Sequence, residues 1–129
     1  MVVIDASVLV EYFSAGTREP EAREVLGRND LLAPHLIDAE VGHALRRLVA
    51  QGELEAEEAE GSLSELDGLR LGRSPHGFLL ELAWGMRTRL TFYDALYVAL
   101  AAAVDAELVT VDRGMARAAN SLGVRVRSL

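Results

Sequence analysis

The sequence predicts an α/β protein, a three-layer α/β/α sandwich around a central, mostly parallel sheet. Two short apolar runs, VVI at residues 2–4 and ELVTV at 107–111, each end at an aspartate. Around them, apolar residues recur at helical spacing, so strands and helices alternate along the chain. The chain has 129 residues, half of them apolar, and residues 1–129 are therefore expected to form a single domain.

Five strands and seven helices are expected in order. Short apolar runs, rich in β-branched residues at the two ends of the chain, predict strands at Val2–Ile4, Leu31–Ala33, Leu69–Leu71, Glu107–Val111 and Val124–Val126. Helical periodicity predicts helices at 6–13, 19–28, 36–51, from 53 onward, 74–89, 91–104 and 113–122. Ser74 with Pro75 is typical of a helix cap and first turn, Thr91 of a cap, and Gly52 and Gly123 of helix ends. The last strand should lie at an edge of the sheet.

Missing residue types exclude several kinds of chemistry. There is no cysteine, which excludes disulfides, thiolate zinc sites and cysteine nucleophiles. All 13 basic residues are arginine, which excludes lysine Schiff bases, the lysine-containing phosphate loop and lysine-dependent aspartyl phosphotransferases. No basic region precedes the first apolar run, and no run is long enough to cross a membrane. A cytoplasmic protein without membrane attachment is therefore expected.

The net charge of −7 is unevenly distributed. Residues 53–65 contain six glutamates and no basic residue, so they account for most of the excess negative charge. An arginine-rich surface elsewhere is compatible with this composition, and nucleic acid is not excluded as a partner.

Four acidic residues form the candidate functional site. Asp5 and Asp112 each follow an apolar strand and precede a helix, whereas Glu40 and Asp94 lie near the starts of helices, Glu40 on the apolar side. Each has a structural alternative, because aspartate caps helices well and first-turn acids interact favourably with the helix dipole. Parallel strands end, and the following helices begin, at one edge of a sheet, so the four side chains are expected to converge there.

Carboxylates that converge in this way require a cation. Without it, their mutual repulsion would keep some of them protonated. Oxygen ligands with no cysteine and no histidine cluster favour Mg²⁺ or Mn²⁺ over Zn²⁺. Such ions activate water and neutralise a phosphodiester during hydrolysis, so phosphodiester hydrolysis is the expected reaction.

Other polar residues near the acids give weaker signals. Ser7 and Thr110 are each two residues from an acid and are placed to hydrogen-bond it or a substrate phosphate, although both also suit capping or strand positions. Asp38 is expected to be solvated or to act as a first-turn charge, because it points away from Glu40 around the helix. No catalytic triad is predicted, and the histidines are expected to be structural: His43 as a packing residue, His35 and His76 in loops.

Four segments, in their order and spacing, resemble a known family: VVIDASVLVEYF, PHLIDAEVGHALRR, TFYDALYVALA and LVTVDRGMARAA. Together they look like a PIN domain, and the short chain with its Asp-x-Ser opening is most similar to VapC-type toxins of bacterial toxin–antitoxin pairs. The resemblance covers nearly the whole chain. It rests on the four segments together, because no single one is specific.

This resemblance implies a metal-dependent endoribonuclease, the toxin of a type II toxin–antitoxin system. The matching acidic ligands are Asp5, Glu40, Asp94 and Asp112, and Ser7 matches the family's hydroxyl beside the first acid. We expect Asp5 and Asp94 to bind Mg²⁺ or Mn²⁺ directly and the ion to activate the water that hydrolyses RNA. The resemblance also implies a homodimer and a cognate VapB-type antitoxin whose carboxyl-terminal arm enters the active groove.

Contacts to RNA would depend on arginine, because there is no lysine. Arg113 and Arg117, one turn apart after Asp112, are the candidates, with weaker ones at Arg87 and Arg89 and a hydroxyl contact at Thr110. Two other functions stay open: a PIN-like module that binds RNA or protein without turnover, and a housekeeping RNA-processing nuclease.

Overall fold

A five-stranded, fully parallel sheet lies at the centre of the computed structural model, which describes residues Met1–Leu129. Its strands are β1 (Val2–Ile4), β2 (Leu31–Pro34), β3 (Leu71–Ser74), β4 (Glu107–Thr110) and β5 (Val126–Ser128). Their order across the sheet is β3-β2-β1-β4-β5, so β1 is the middle strand and β5 is an edge strand, as predicted.

Seven α-helices and one short 3₁₀ segment connect the strands. They are α1 (Ala6–Phe13), α2 (Glu19–Leu26), α3 (Leu36–Ala50), α4 (Ala56–Gly68), the 3₁₀ segment Gly77–Leu79, α5 (Leu80–Trp84), α6 (Phe92–Ala103) and α7 (Arg113–Ser121). This architecture confirms the predicted α/β/α sandwich. None of the helices is both long and apolar enough to cross a membrane.

The middle strand and one helix are buried on every side. Val2, Val3 and Ile4 are at most 5% exposed, as expected for a central strand of a parallel sheet that is covered on both faces. In α6, residues 95–101 are buried without a break, and a helix in that position must be apolar all round. Alanines in this run allow α6 to pack against β1, β2 and β4. Such packing fixes the start of α6 relative to the sheet.

The strand order reverses between β1 and β4. From β1 the chain builds β2 and β3 on one side of the sheet and later returns to add β4 and β5 on the other. In open α/β sheets, ligands bind at the carboxyl ends of the strands where this reversal occurs. Asp5 follows β1 and Asp112 lies two residues after the end of β4, so both belong to this region.

The third strand lies further along the chain than the sequence predicts. Strand β3 covers Leu71–Ser74 rather than Leu69–Leu71, because its register pairs Ser74 with Pro34 and the Ser74 carbonyl accepts from the His35 amide over 2.9 Å. The predicted helix from Ser74 to Arg89 is therefore wrong in extent, and α5 occupies only Leu80–Trp84. Pairing with β2 satisfies the Ser74 backbone, which takes precedence over the local capping preference. The last strand is also shifted, to Val126–Ser128.

Two residues outside the predicted site hold the start of α3. Nε2 of His76 accepts a hydrogen bond from the Leu36 amide over 3.0 Å, so this histidine satisfies one of the free amides at the helix start. Arg73 donates to both carboxylate oxygens of Asp38 in the first turn. Asp38 is thus an ion-paired charge in the first turn of α3, which is the second of the two alternatives expected for it. Both contacts fix the helix that carries Glu40.

Candidate active site

All four predicted acids line one cavity of about 720 Å³ at the carboxyl edge of the sheet. Asp5 follows β1, Glu40 comes from α3, Asp94 from the first turn of α6, and Asp112 precedes α7. These positions span the whole chain, and only the parallel topology brings them together.

Asp5 is held at the base of the cavity by two hydroxyl groups. It is 5% exposed. Its Oδ1 accepts from the Ser7 hydroxyl over 2.5 Å and its Oδ2 from the Thr110 hydroxyl over 2.9 Å. Each hydroxyl in turn accepts a backbone amide, Ser7 from Val111 over 2.9 Å and Thr110 from Asp112 over 3.0 Å. Each hydroxyl therefore accepts one amide and donates its single proton to Asp5.

Burial makes the charge on Asp5 costly in the absence of a cation. It raises the pKa of Asp5 to about 7, against the lowering effect of the Ser7 and Thr110 hydrogen bonds, and the carboxylates of Asp94 and Asp112 raise it further. Burial also raises the pKa of Asp94, with Asp112 and Glu40 adding to the effect. Raised carboxyl pKa values in a shared cavity are typical of acids that need a positive charge between them.

Glu40 is positioned by a tyrosine that the sequence analysis did not single out. The Tyr97 hydroxyl donates to Oε1 of Glu40 over 2.6 Å. Tyr97 is 1% exposed, and its burial, followed by the hydrogen bond to Glu40, raises the pKa of the hydroxyl, so it stays protonated as a donor. The available signal was its spacing, because Tyr97 lies three residues after Asp94 and so on the same face of α6.

The capping alternatives apply to only some of the acids. Oδ1 of Asp112 accepts from the Met115 amide over 3.0 Å, so Asp112 does cap α7. Asp5 makes no side-chain cap to α1. Ahead of Asp94, Thr91 caps α6 as predicted, since its hydroxyl accepts the Asp94 amide over 3.2 Å. The Asp94 carboxylate is therefore not needed as a cap.

The donor chemistry of the cavity fits a hard divalent ion, although the ligands are not drawn together around one point. Four carboxylates supply only oxygen, which suits Mg²⁺ or Mn²⁺. No three acidic or histidine side chains are close enough to form a preassembled metal site. A bound ion would draw the carboxylates inward by offsetting the repulsion that separates them.

The predicted RNA-contacting residues do not line this cavity. Arg113 and Arg117 are exposed on α7, outside the lining, and Thr110 is fully buried beneath Asp5. That burial argues against a contact between Thr110 and substrate. Of the weaker candidates, Arg87 packs over the Trp84 ring and Arg89 donates to Ser121.

Three other residues line the cavity instead. Arg47, His43 and Tyr93 are exposed at its wall. The prediction that His43 packs in the interior is wrong, and Arg47 lies on the exposed side of α3. Periodicity locates a polar face correctly but does not show which cavity that face borders.

Comparisons with known proteins agree with this architecture. The PIN domain model matches residues 2–121. Ribonuclease VapC1 of Mycobacterium tuberculosis is 45% identical over 118 residues, which cover 90% of this chain and 89% of the relative. Ribonuclease VapC9 of the same organism is 38% identical over 112 residues, covering 87% of this chain and 86% of VapC9. The crystal structure of VapC20, a sarcin-ricin loop cleaving toxin of M. tuberculosis, superposes with a TM-score of 0.73 at 16% identity, over 92% of this chain and 95% of VapC20.

A parallel sheet with an acidic cavity at its reversal point, together with the match over residues 2–121, defines a PIN domain. The chain belongs to the VapC ribonucleases within the PIN domain family. This confirms the resemblance found in the sequence, and with it the expected class, the ribonuclease toxins of toxin–antitoxin systems.

Proposed function

We propose that this chain hydrolyses RNA phosphodiester bonds in the acidic cavity with a bound Mg²⁺ or Mn²⁺ ion, as the toxin of a toxin–antitoxin pair. The convergence of four carboxylates from four separate segments carries the proposal. PIN-domain ribonucleases generally depend on a divalent metal ion, and the raised pKa values of Asp5 and Asp94 support a cation here.

In this proposal, Asp5 and Asp94 hold the ion directly, and Glu40 and Asp112 complete its surroundings directly or through water. When bound, the ion supplies the charge that stabilises the negative phosphodiester in its transition state and activates water. Oδ2 of Asp112 accepts no hydrogen bond within the protein, so it is available to the site while Oδ1 caps α7.

The supporting residues restrict how these carboxylates turn. Ser7 and Thr110 fix the orientation of Asp5 and leave a lone pair on each of its oxygens. Tyr97 fixes one oxygen of Glu40 and leaves the other without a hydrogen bond from a side chain. Groups that orient ligands in this way usually change metal affinity or activity when they are removed.

The partners follow from the family. We propose a VapB-type antitoxin as inhibitor, RNA as substrate, a cytoplasmic location and a homodimer. Two aromatic side chains support an association surface, since Phe78 and Trp84 are each 60% exposed. Exposed aromatic surface of this kind often marks a protein–protein contact.

Cleavage of RNA by the purified protein tests the proposal. Cleavage should stop on addition of EDTA and return with excess Mn²⁺. RNA binding without cleavage at any metal concentration would instead support a binding module. Expression without a partner should arrest growth, and co-expression of a cognate VapB-type antitoxin should restore it. Normal growth despite cleavage in vitro would favour a housekeeping nuclease.

A further inference from the structure

Arg47 is the only arginine that lines the acidic cavity. Its guanidinium makes no salt bridge, although four carboxylates line the same cavity, and none of the side-chain hydrogen bonds involves it. Five of the seven salt bridges in the structure instead join arginines such as Arg23 and Arg28 to acids at exposed sites. An unpaired guanidinium at the wall of a concave site is available to an external anion.

The position of Arg47 suits a phosphate beside the one that is cleaved. Glu40, His43 and Arg47 follow one another at intervals of three and four residues, which places them on one face of α3. Arg47 is about 10 Å along the helix axis from Glu40. No salt bridge joins its guanidinium to the carboxylates, so the side chain is not held between them.

An exposed aromatic ring lies on another wall of the cavity. Tyr93 immediately precedes Asp94 and is 61% exposed. It makes no ring contact with another aromatic side chain and no side-chain hydrogen bond. A ring held at the start of the rigid helix α6 provides a flat surface on which an unpaired base can stack.

We propose that Arg47, His43 and Tyr93 form a subsite for unpaired RNA next to the acids. Arg47 binds a phosphate that flanks the scissile one, Tyr93 stacks a base, and His43, between Glu40 and Arg47, hydrogen-bonds the sugar or phosphate. A duplex cannot use the Tyr93 surface, because its bases are already stacked, so Tyr93 distinguishes unpaired from paired RNA at this position. This inference rests on the proposed function, and it assigns the substrate's place in the same cavity.

RNA binding by a cleavage-deficient protein tests the subsite apart from catalysis. Fluorescence anisotropy with a short labelled single-stranded RNA, in Mg²⁺ buffer, would compare Asp94→Asn alone with Asp94→Asn combined with Arg47→Ala. Arg47→Ala should weaken binding on the order of five- to tenfold and lower the salt dependence by about one phosphate contact. Arg47→Lys should retain most of the affinity, because the ammonium still supplies the charge.

Arg46 offers a matched control. It neighbours Arg47, is equally exposed and makes no salt bridge, but it does not line the cavity. Arg46→Ala should change neither the affinity nor the salt dependence. Equal losses for Arg46→Ala and Arg47→Ala would overturn the subsite, because they would show only a general effect of charge.

The base contact is tested by comparing RNA forms. Single-stranded RNA should bind more tightly than the same strand annealed to its complement, and Tyr93→Leu should abolish that difference while Tyr93→Phe preserves it. No preference in the parent protein would overturn the stacking contact. Loss of binding to an antitoxin peptide on Arg47→Ala, with RNA affinity unchanged, would assign Arg47 to the protein partner and overturn the proposal.

Cleavage by the chain without the Asp94→Asn change separates this inference from the proposed function. If Arg47→Ala raises the KM for single-stranded RNA and leaves kcat unchanged, the result supports both the subsite and the proposed nuclease function. Cleavage with an unchanged KM would overturn the subsite alone. Absence of cleavage at any metal concentration, together with Arg47-dependent RNA binding, would overturn the nuclease proposal and leave the subsite standing.

Discussion

The hydroxyl of Tyr97 donates to Oε1 of Glu40 over 2.6 Å and so joins helix α6 to helix α3 at the acidic cavity. Tyr97 is enclosed by the core, whereas Glu40 borders the cavity. The interaction therefore connects a deeply buried helix to one of the four acids that line the cavity.

Tyr97→Phe should lower both RNA cleavage and stability. The ring remains to fill the core, but Glu40 loses the donor that orients it. We expect RNA cleavage to fall on the order of tenfold and the free energy of unfolding to fall by about 1–3 kcal/mol. Single-turnover cleavage and urea unfolding measure the two effects.

Tyr12→Phe is the matched control for this substitution. Tyr12 makes the same kind of bond, to Oε1 of Glu65 over 2.6 Å, at an exposed position away from the cavity. It should lose less stability and no activity. Equal loss of activity in both variants would contradict the assigned role of Tyr97.

The metal-free protein should lose stability as the pH rises from about 4 to 7 because of Asp5. Burial raises the pKa of Asp5 from 3.8 to about 7, so in this range the folded protein holds a proton that the unfolded chain has released. Asp5→Asn removes this dependence. In EDTA, the variant should therefore gain in unfolding free energy relative to the parent between pH 4 and pH 8, as measured by urea titrations at each pH.

Asp30 should show the opposite sign and serves as a control. Hydrogen bonds from Arg28 and from the amino terminus lower the pKa of Asp30, so its contribution is present at neutral pH and is lost in acid. The Asp30→Asn variant should consequently have a lower unfolding free energy than the parent at neutral pH, and this difference should shrink as the pH falls. Parallel pH profiles for the Asp5 and Asp30 variants would contradict the burial argument.

Thr110→Val should change the environment of Asp5 although it replaces none of the four acids. The substitution keeps the shape of the side chain but removes the donor to Asp5 and the acceptor of the Asp112 amide. We expect a loss of about 1–3 kcal/mol in unfolding free energy and a further rise in the pKa of Asp5. The acid limb of the cleavage rate against pH should then move to higher pH. Thr110→Ser should restore both properties; if it behaves like Thr110→Val, the hydroxyl is not the cause.

Asp94→Asn should remove most of the stabilisation that a bound metal ion gives to the folded protein. In the parent protein, Mn²⁺ should raise the melting temperature, because a ligand that binds only the folded state stabilises it. The variant should lose most of this rise, and its cleavage should fall by on the order of a hundredfold or more. Differential scanning calorimetry with and without Mn²⁺ measures the shift. Glu57→Gln, on the exposed face of α4, should leave the shift unchanged.

The four acids could be predicted from the sequence because each follows from a local rule. A strand that ends at an aspartate, or a helix that begins near an acid, places the carboxylate at a known edge of the sheet, and the parallel topology then brings Asp5 and Asp112 together. Tyr97 could not be predicted in the same way. An aromatic residue within an apolar helix is interpreted as a core residue. Only the distance to Glu40 shows that the hydroxyl of Tyr97 also orients this carboxylate.

The errors in the predicted elements have a related cause. Ser74 and Pro75 satisfy the local preferences for a helix start. The backbone of Ser74 nevertheless pairs with β2, which is far away in the sequence. Likewise, the exposed side of α3 could be read from periodicity, whereas the cavity wall beside Arg47 depends on how α3 and α6 pack. Pairings between distant segments decide such cases, and local patterns do not contain them.

The bond between Thr110 and Asp5 spans 105 residues of the chain. During synthesis, Asp5 is made 105 residues before Thr110, its second hydroxyl donor, and the neighbouring strand β4 and Asp112 are made together with Thr110. A nascent chain that has not yet reached Asp112 therefore has no assembled acidic cavity. For a ribonuclease toxin, this order of assembly delays any toxicity until the last of the four acids has been made.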